Sequence, residues 1–242
     1  MSKTRHGFYP FLLVIGVVSC SPMGRFSPSA VFGRTHALHL AQAIEKNDIA
    51  AVYDNRAYVN VIGKFELTPL LWAVKREAVS AETASTLIEL GSDPFVFSKT
   101  QLSSPAEYAV TWKTDEYFKT FIDNIHNIDG FTGRAEKPTM LFVAIVDRNQ
   151  EKVRLLISRG ANLDYRNSDG DTPLLFAMAN QFNIAIDLIA AGANVRAANE
   201  KGLGVCSLFS TPMANLNDEA LRYRASLIAL LSARGVRCPA DR

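Results

Sequence analysis

Residues 172–192, which read TPLLFAMANQFNIAIDLIAAG, decide the fold of this protein. The stretch opens with Thr172 and Pro173, a pair suited to a helix start because the threonine side chain can cap free backbone N–H groups and proline needs none there. Apolar residues then recur at helical spacing in two short runs. Gly192 ends the second run, where a left-handed backbone conformation favours glycine. The stretch therefore predicts two short helices joined by a turn.

The same pattern recurs along the chain. Residues 68–91 (TPLLWAVKREAVSAETASTLIELG) and 139–160 (TMLFVAIVDRNQEKVRLLISRG) also open with threonine, carry alanine in the first helix and close on glycine. Weaker copies begin near Ala41, Ser104 and Lys201. The starts at residues 68, 104, 139 and 172 are 36, 35 and 33 residues apart. Because one such helix pair cannot bury its own apolar face, we expect the copies to stack on one another.

The segment Asp169-Gly170-Asp171-Thr172-Pro173-Leu174 resembles the ankyrin repeat, whose pattern is D-G-x-T-P-L-H-x-A-A with a period of about 33 residues. The resemblance implies an all-α solenoid of about six helix-turn-helix units over residues 36–237. We number them units 1 to 6, with approximate bounds 36–60, 61–97, 98–130, 131–164, 165–198 and 199–237. The family's histidine after T-P-L is replaced here, so we expect an irregular array; the residues in its place are Leu71, Glu107, Phe142, Leu175 and Ser207.

The first 35 residues are expected to be an export signal followed by a flexible tether. Lys3 and Arg5 precede the apolar run Phe11–Val18, which is too short for a membrane span of about 20 residues and is typical of a signal peptide. Val17-Val18-Ser19-Cys20 resembles the bacterial lipobox, so we interpret residues 1–19 as a lipoprotein signal peptide and Cys20 as the lipidated residue. An ordinary signal peptide is the alternative. Ser21 after the cysteine favours the outer membrane, and residues 20–35 are expected to form a flexible tether.

Composition and charge favour a globular binding protein. Of the 242 residues, 48% are hydrophobic and 21% are charged, and the net charge is +2. The two extra positive charges are Lys3 and Arg5, so the rest of the chain is neutral and lacks the basic surface that nucleic-acid binding requires. No catalytic or cofactor motif is recognised, and His36 and His39 share a helix face without a third metal ligand. We therefore expect no enzyme activity, cofactor or metal.

In ankyrin repeats, partners dock on the concave side formed by the first helices and the hairpin tips, and we call this surface the groove face. The resemblance implies three series of partner-binding candidates: the apolar positions Trp72, Tyr108, Val143, Phe176 and Leu208, the polar and helix-end positions Lys75, Arg76, Trp112, Asp147 and Asn180, and the hairpin tips Phe65, Phe97, Arg134, Arg166 and Asp169. Tryptophan and tyrosine are enriched among binding hot spots. The alternative is that the apolar series packs between units; Trp72 and Phe176 are the two most expected to be exposed.

The lipoprotein signal peptide and the repeats together indicate a membrane-anchored periplasmic ankyrin lipoprotein that binds one protein partner. Secreted ankyrin lipoproteins of this size resemble the immunity proteins that neutralise phospholipase effectors of type VI secretion, so a secreted lipase toxin is the partner to expect. Two alternatives stay open. The chain could support another periplasmic enzyme, for example in stress defence, or it could be an enzyme whose site carries no recognisable motif.

Cys206 and Cys238 are the cysteines that remain if Cys20 is lipidated, an even number in an oxidising compartment. The ankyrin register puts Cys206 at the start of the last unit's first helix and Cys238 just past its second helix, Glu219–Ala233. Because the helices of an ankyrin unit run antiparallel, the register implies a Cys206–Cys238 disulfide. Two separately buried thiols are the alternative.

Overall fold

The computed structural model describes residues 26–33, 36–132, 138–178, 181–208 and 217–238. Its α-helices are α1 (Pro28–Phe32), α2 (His36–Lys46), α3 (Ile49–Asp54), α4 (Pro69–Lys75), α5 (Ala81–Glu89), α6 (Pro105–Trp112), α7 (Asp115–Phe121), α8 (Met140–Val146), α9 (Gln150–Ser158), α10 (Pro173–Ala177), α11 (Phe182–Ala190) and α12 (Asp218–Ala233). A 3₁₀ segment, Val205–Leu208, precedes α12. Extended pairing within these residue ranges is limited to isolated bridges.

The helices form two rows. The first helices of units 1 to 5, namely α2, α4, α6, α8 and α10, pack side by side, and the 3₁₀ segment of unit 6 continues this inner row. The second helices α3, α5, α7, α9 and α11 form the outer row, which α12 extends. The architecture is thus the all-helical stack that the repeating sequence predicted.

Local sequence explains where the inner helices start. The side chains of Thr68, Ser104 and Thr172 each accept a hydrogen bond from the backbone N–H three residues on, and a proline follows each of them. Thr139 makes no such bond. The glycines that follow outer helices all have positive φ, as the left-handed ending requires: Gly91, Gly160, Gly192 and Gly235.

Small side chains set the spacing within the inner row. The alanine five residues after the Thr or Ser start of α4, α6, α8 and α10 is fully buried in each case: Ala73, Ala109, Ala144 and Ala177. Because alanine adds only a methyl group, neighbouring helices can approach closely at these points. Larger apolar side chains such as Leu70, Ile145 and Leu174 fill the space around them.

Tight turns lead from each outer helix into the next inner helix. Gly170 and Gly202 take a positive φ in the turns of units 5 and 6. The corresponding position holds Glu66 (φ 53°) in unit 2 and Leu102 (φ 51°) in unit 3. A side chain at positive φ strains the backbone, so these two turns depart from the pattern that glycine makes easy.

Residues 26–33 precede the first unit, and we call them the N-terminal arm. Ser27 caps the five-residue helix α1, Gly33 ends it at φ 68°, and Val31 and Phe32 are buried. The helix packs against α2 and against the turn before α4. Residues 26–33 fall within the predicted flexible tether, residues 20–35, but the burial of Val31 and Phe32 shows that this part is packed on units 1 and 2. The rest of the predicted tether lies outside the described residues.

The predicted signal peptide, residues 1–19, and the predicted lipidation site Cys20 lie outside the described residues. In the part of the chain that the structure describes, no helix has the length and apolar character needed to cross a membrane. Lipidation of Cys20 stays a prediction.

Unit 6 is the least regular unit. In the described residues its inner row holds the 3₁₀ segment Val205–Leu208, and its outer helix α12 runs for 16 residues. The structure joins Cys206 to Cys238 in a disulfide, with Cα atoms 5.0 Å apart. The bridge links the start of the inner segment to the chain just after α12, and it is the pairing that the ankyrin register implied.

Candidate partner-binding surface

Trp72 is not on the surface. Its side chain is fully buried, with the ring of Phe32 packed edge to face at a centroid distance of 5.8 Å and the Arg76 guanidinium 3.9 Å from the ring. The expectation that Trp72 would be exposed is therefore wrong. The physical reason is the N-terminal arm, which covers the groove face of unit 2.

One unit further along, the groove face is open. Trp112 ends α6 with 63% of its surface exposed, the largest exposed fraction of any aromatic side chain in the described part of the chain. The Tyr108 ring lies 6.3 Å from it, half-buried, and the Lys75 ammonium group stands 4.7 Å from the Tyr108 ring. Two aromatic rings and a cation thus meet at the edge between units 2 and 3.

A second aromatic group links units 4 and 5. Phe131 contacts Tyr165 at 5.5 Å between ring centroids, Tyr165 contacts Phe142 at 6.1 Å, and Phe142 contacts Phe176 at 5.8 Å. Phe176 is half-buried and Phe131 is 43% exposed, whereas Phe142 belongs to the core. Burial raises the pKa of the Tyr165 hydroxyl. Phe131 and Tyr165 lie in turns of unequal length, where the repeat register gives no fixed position, so the sequence did not predict their place on this surface.

The hairpin-tip candidates divide into exposed and engaged residues. Phe65 is 46% exposed at φ 60°, and Phe97 and Asp169 are half-buried. Arg166 donates hydrogen bonds to the carbonyls of Gly170 and Ala198, so its guanidinium ties two successive turns together. Among the other candidates, Val143 is half-buried, whereas Arg134, Asn180 and the Leu208 side chain lie outside what the structure describes.

Charged side chains lie at or close to the ends of the inner helices. Arg76 pairs with Glu45 at 3.0 Å and donates a hydrogen bond to the Phe26 carbonyl, so it faces the N-terminal arm rather than an open groove. Asp147 ends α8, and burial raises the pKa of its carboxyl. Lys152, which is buried, donates hydrogen bonds to the carbonyls of Val110 and Lys113, and burial lowers the pKa of its ammonium group.

No arrangement for metal binding is found among the described residues, where no three His, Cys, Asp or Glu side chains cluster. The His36 and His39 rings are 6.0 Å apart, and His36 stacks on Tyr58 at 5.4 Å. The imidazole pair is thus a packing feature at the start of α2.

The two rows of helices, with three inner helices that begin at a capping Thr or Ser followed by proline, define the class of protein: this chain has the ankyrin-repeat fold. Ankyrin repeats are modules that bind other proteins. Residues 108–199 match the family model described as ankyrin repeats in three copies. Proteins built from such repeats are generally not enzymes.

Solved structures support the fold along most of the chain. An ankyrin repeat domain from Acinetobacter baumannii AYE is 23% identical, with 82% of this chain and 98% of that chain covered and a TM-score of 0.60. The ankyrin repeat domain of Bcl-3, of the IkappaB protein family, is 22% identical, with 82% and 87% covered and a TM-score of 0.60. At these identities the likeness shows the fold alone.

A third similar structure is that of a predatory endopeptidase from Bdellovibrio bacteriovorus in complex with an immunity protein. The matching chain is 18% identical, with 81% of this chain and 97% of that chain covered and a TM-score of 0.53. No curated protein sequence is significantly similar to this chain.

Proposed function

We propose that this chain is a non-enzymatic binding protein that holds one protein partner on the groove face of units 3 to 5. The observation that carries the proposal is the 63% exposure of Trp112 beside Tyr108. Tryptophan and tyrosine give a partner a large apolar area together with a polar handle, and they dominate many binding interfaces. Phe131 and Phe176 extend this surface toward unit 5.

We propose further that the partner is a toxic secreted enzyme and that this chain is its immunity protein. The resemblance to secreted ankyrin lipoproteins suggests a phospholipase effector. One similar structure is a complex between an endopeptidase and an immunity protein, and this supports an enzyme as the partner. Whether the partner of this chain is a phospholipase or a peptidase is a question for experiment.

The test pairs this chain with any secreted hydrolase that its gene neighbourhood encodes and measures inhibition of that enzyme. The purified enzyme would be assayed on phospholipid vesicles and on peptidoglycan peptides, with and without one equivalent of this chain. We expect stoichiometric inhibition of one of the two activities. An enzyme that binds this chain without losing activity would contradict the immunity role and would leave the binding role standing.

The binding surface is tested separately, by affinity. Trp112→Ala and Phe176→Ala should each weaken binding by about 2 kcal/mol, roughly 30-fold, because aromatic hot spots lose that much on truncation. Ile228→Ala is the matched control, since Ile228 is 43% exposed on α12 of the outer row. Affinity that falls for Ile228→Ala and not for Trp112→Ala would place the partner on the other side of the array.

We also propose that Cys20 is lipidated and that the chain is held at the periplasmic side of the outer membrane. The support is the lipobox-like sequence Val17-Val18-Ser19-Cys20 followed by Ser21. Cys20→Ser should abolish labelling with radioactive palmitate and leave precursor or a soluble form. Equal labelling of parent and variant would contradict the proposal. More than one acyl chain would make the attachment stable, since each buried CH₂ contributes about 0.8 kcal/mol.

A further inference from the structure

The N-terminal arm lies on units 1 and 2 in the way that a bound peptide lies on its receptor. Phe32 meets Trp72 edge to face at 5.8 Å, and Phe26 meets Phe65 with ring centroids 5.1 Å apart. Arg76 donates a hydrogen bond of 2.6 Å to the main-chain carbonyl of Phe26. Aromatic contacts and a hydrogen bond to the main chain thus contribute to holding the arm on the array.

The receiving surface is organised by groups that belong to the array. The Arg76 guanidinium is positioned by the Trp72 ring, 3.9 Å away, and by Glu45, 3.0 Å away. Gly63 leaves open the space into which the arm fits, because a Cβ atom at this position would stand 2.8 Å from Val31 Cγ1 and 2.9 Å from the Phe32 ring. These features would remain in place if the arm left.

The arm itself has little reason to be helical on its own. Its helix α1 is five residues long, and isolated helices shorter than about 12 residues are marginal in water. The cap from Ser27 and the burial of Val31 and Phe32 exist only while the arm is folded on the array. Folding of the arm and its binding to units 1 and 2 are therefore one event.

We propose that the groove face of units 1 and 2 is a peptide-binding site and that the N-terminal arm is its ligand in cis. The ligand class is a short segment with two aromatic side chains six residues apart, spaced as Phe26 and Phe32, that forms one helical turn between them. A segment of another protein with this pattern occupies the site when the arm leaves it. The site is separate from the partner surface of units 3 to 5. The proposal therefore goes beyond the proposed function, and its test does not depend on the test of partner binding.

The tethered arm is a strong competitor, since a ligand joined by a short linker acts at millimolar effective concentration. A peptide added to the unaltered chain is therefore expected to bind poorly. The same peptide binds readily to a chain whose arm has been weakened and whose site is intact.

The experiment uses Trp72 as the reporter, in the full chain carrying Trp112→Phe so that Trp72 is the single tryptophan. Phe26→Ala with Phe32→Ala weakens the arm and should move Trp72 emission to longer wavelength, because the covering ring is gone. A synthetic peptide of residues 26–33 should move the emission back. The same peptide with Phe32→Ala should need at least ten times the concentration.

A second variant alters the site and leaves the arm unchanged. Gly63→Ala should also expose Trp72, and here the added peptide should fail to reverse the shift because its own valine and phenylalanine meet the new methyl group. Gly130→Ala is the matched control, since its Cβ would meet the Phe95 ring away from the arm. That variant should leave Trp72 emission unchanged.

Hydrogen exchange measures the opening of the arm in the parent chain, without any substitution. Amides of α1 should exchange faster than those of α4, because the arm opens while units 1 and 2 stay folded. Equal exchange of α1 and α4 would overturn the proposal, and so would loss of helical signal from units 1 and 2 in the arm variant. Failure of the peptide to restore Trp72 emission in that variant would overturn it as well.

Discussion

Burial assigns different roles to the two tryptophans, Trp72 and Trp112, that the sequence offered as partner contacts. Trp72→Ala should lower the free energy of unfolding by about 3–5 kcal/mol, because it empties a packed site under the N-terminal arm. Trp112→Ala should change it by less than about 1 kcal/mol, since the side chain is mostly in water. Urea unfolding of both variants measures the difference. Similar losses for the two would mean that Trp112 is packed against the array.

Asp147 gives a pH-dependent prediction. Burial raises the pKa of its carboxyl, against smaller opposing effects of Thr111 and Lys152, and its buried Oδ2 has no hydrogen-bond partner. A carboxyl whose pKa is higher in the folded than in the unfolded chain favours the folded state while protonated, and stability falls as pH rises through the folded-state pKa. Asp147→Asn should therefore raise the free energy of unfolding at pH 7.

The gain from Asp147→Asn should shrink as the pH is lowered through the raised pKa of the folded chain, because the parent carboxyl then becomes neutral as well. Urea unfolding of parent and variant at several pH values measures this. A variant that is less stable than the parent at pH 7 would show that the attraction to Lys152 outweighs burial.

At the scale of helices, Thr172 and Thr139 form a matched pair. Thr172 caps α10 by accepting a hydrogen bond from Leu175 N–H, whereas the buried Thr139 hydroxyl has no hydrogen-bond partner at the start of α8. Thr172→Ala should cost about 1 kcal/mol of unfolding free energy. Thr139→Ala should cost less or stabilise the chain, because it removes an unsatisfied hydroxyl. Thermal unfolding under identical conditions compares them, and equal losses would contradict the role of the cap.

The helix pairs could be predicted from sequence because each signal acts within its own unit. Thr172 and Pro173 set a helix start, and Gly192 sets an end, whatever the rest of the chain does. The N-terminal arm carries local signals of the same kind, Ser27 and Pro28 at the start and Gly33 at the end, but they enclose a helix of only five residues, too short to be stable alone. Its packing comes from contact with Trp72, about 40 residues along the chain, so the sequence alone predicted neither the packed arm of residues 26–33 nor the burial of Trp72.

The position and exposure of the groove-face candidates could be predicted in part for the same reason. Tyr108, Trp112 and Phe176 lie on inner helices, where the repeat register fixes which positions face outward. Phe131 and Tyr165 lie in turns whose lengths differ between units, and no register carries over to them. A turn residue could be placed only after the neighbouring helices had been placed.

Across the whole molecule, the described features divide along the array. The arm occupies units 1 and 2, the open aromatic surface spans units 3 to 5, and the disulfide closes unit 6. In a stacked array each unit contacts only its neighbours, so a change at one end should not reach the other by direct contact. A partner on units 3 to 5 and a peptide on units 1 and 2 can therefore be bound at the same time. The two surfaces adjoin where Lys75 of unit 2 contacts Tyr108 of unit 3.

The disulfide between Cys206 and Cys238 tests this separation at the far end of the array. Closing a segment with a sequence separation of 32 should stabilise the folded chain by about 3–4 kcal/mol in the chain-entropy model. Because unit 6 has one neighbour, Cys206→Ser should raise hydrogen exchange in α12 first and leave the amides of α6 to α9 protected. Thiol counting on the form that lacks residues 1–20, denatured without reductant, checks the bridge itself. Two reactive thiols per chain would mean that there is no bridge, and equal loss of protection in α6 and α12 would mean that the array unfolds as one unit.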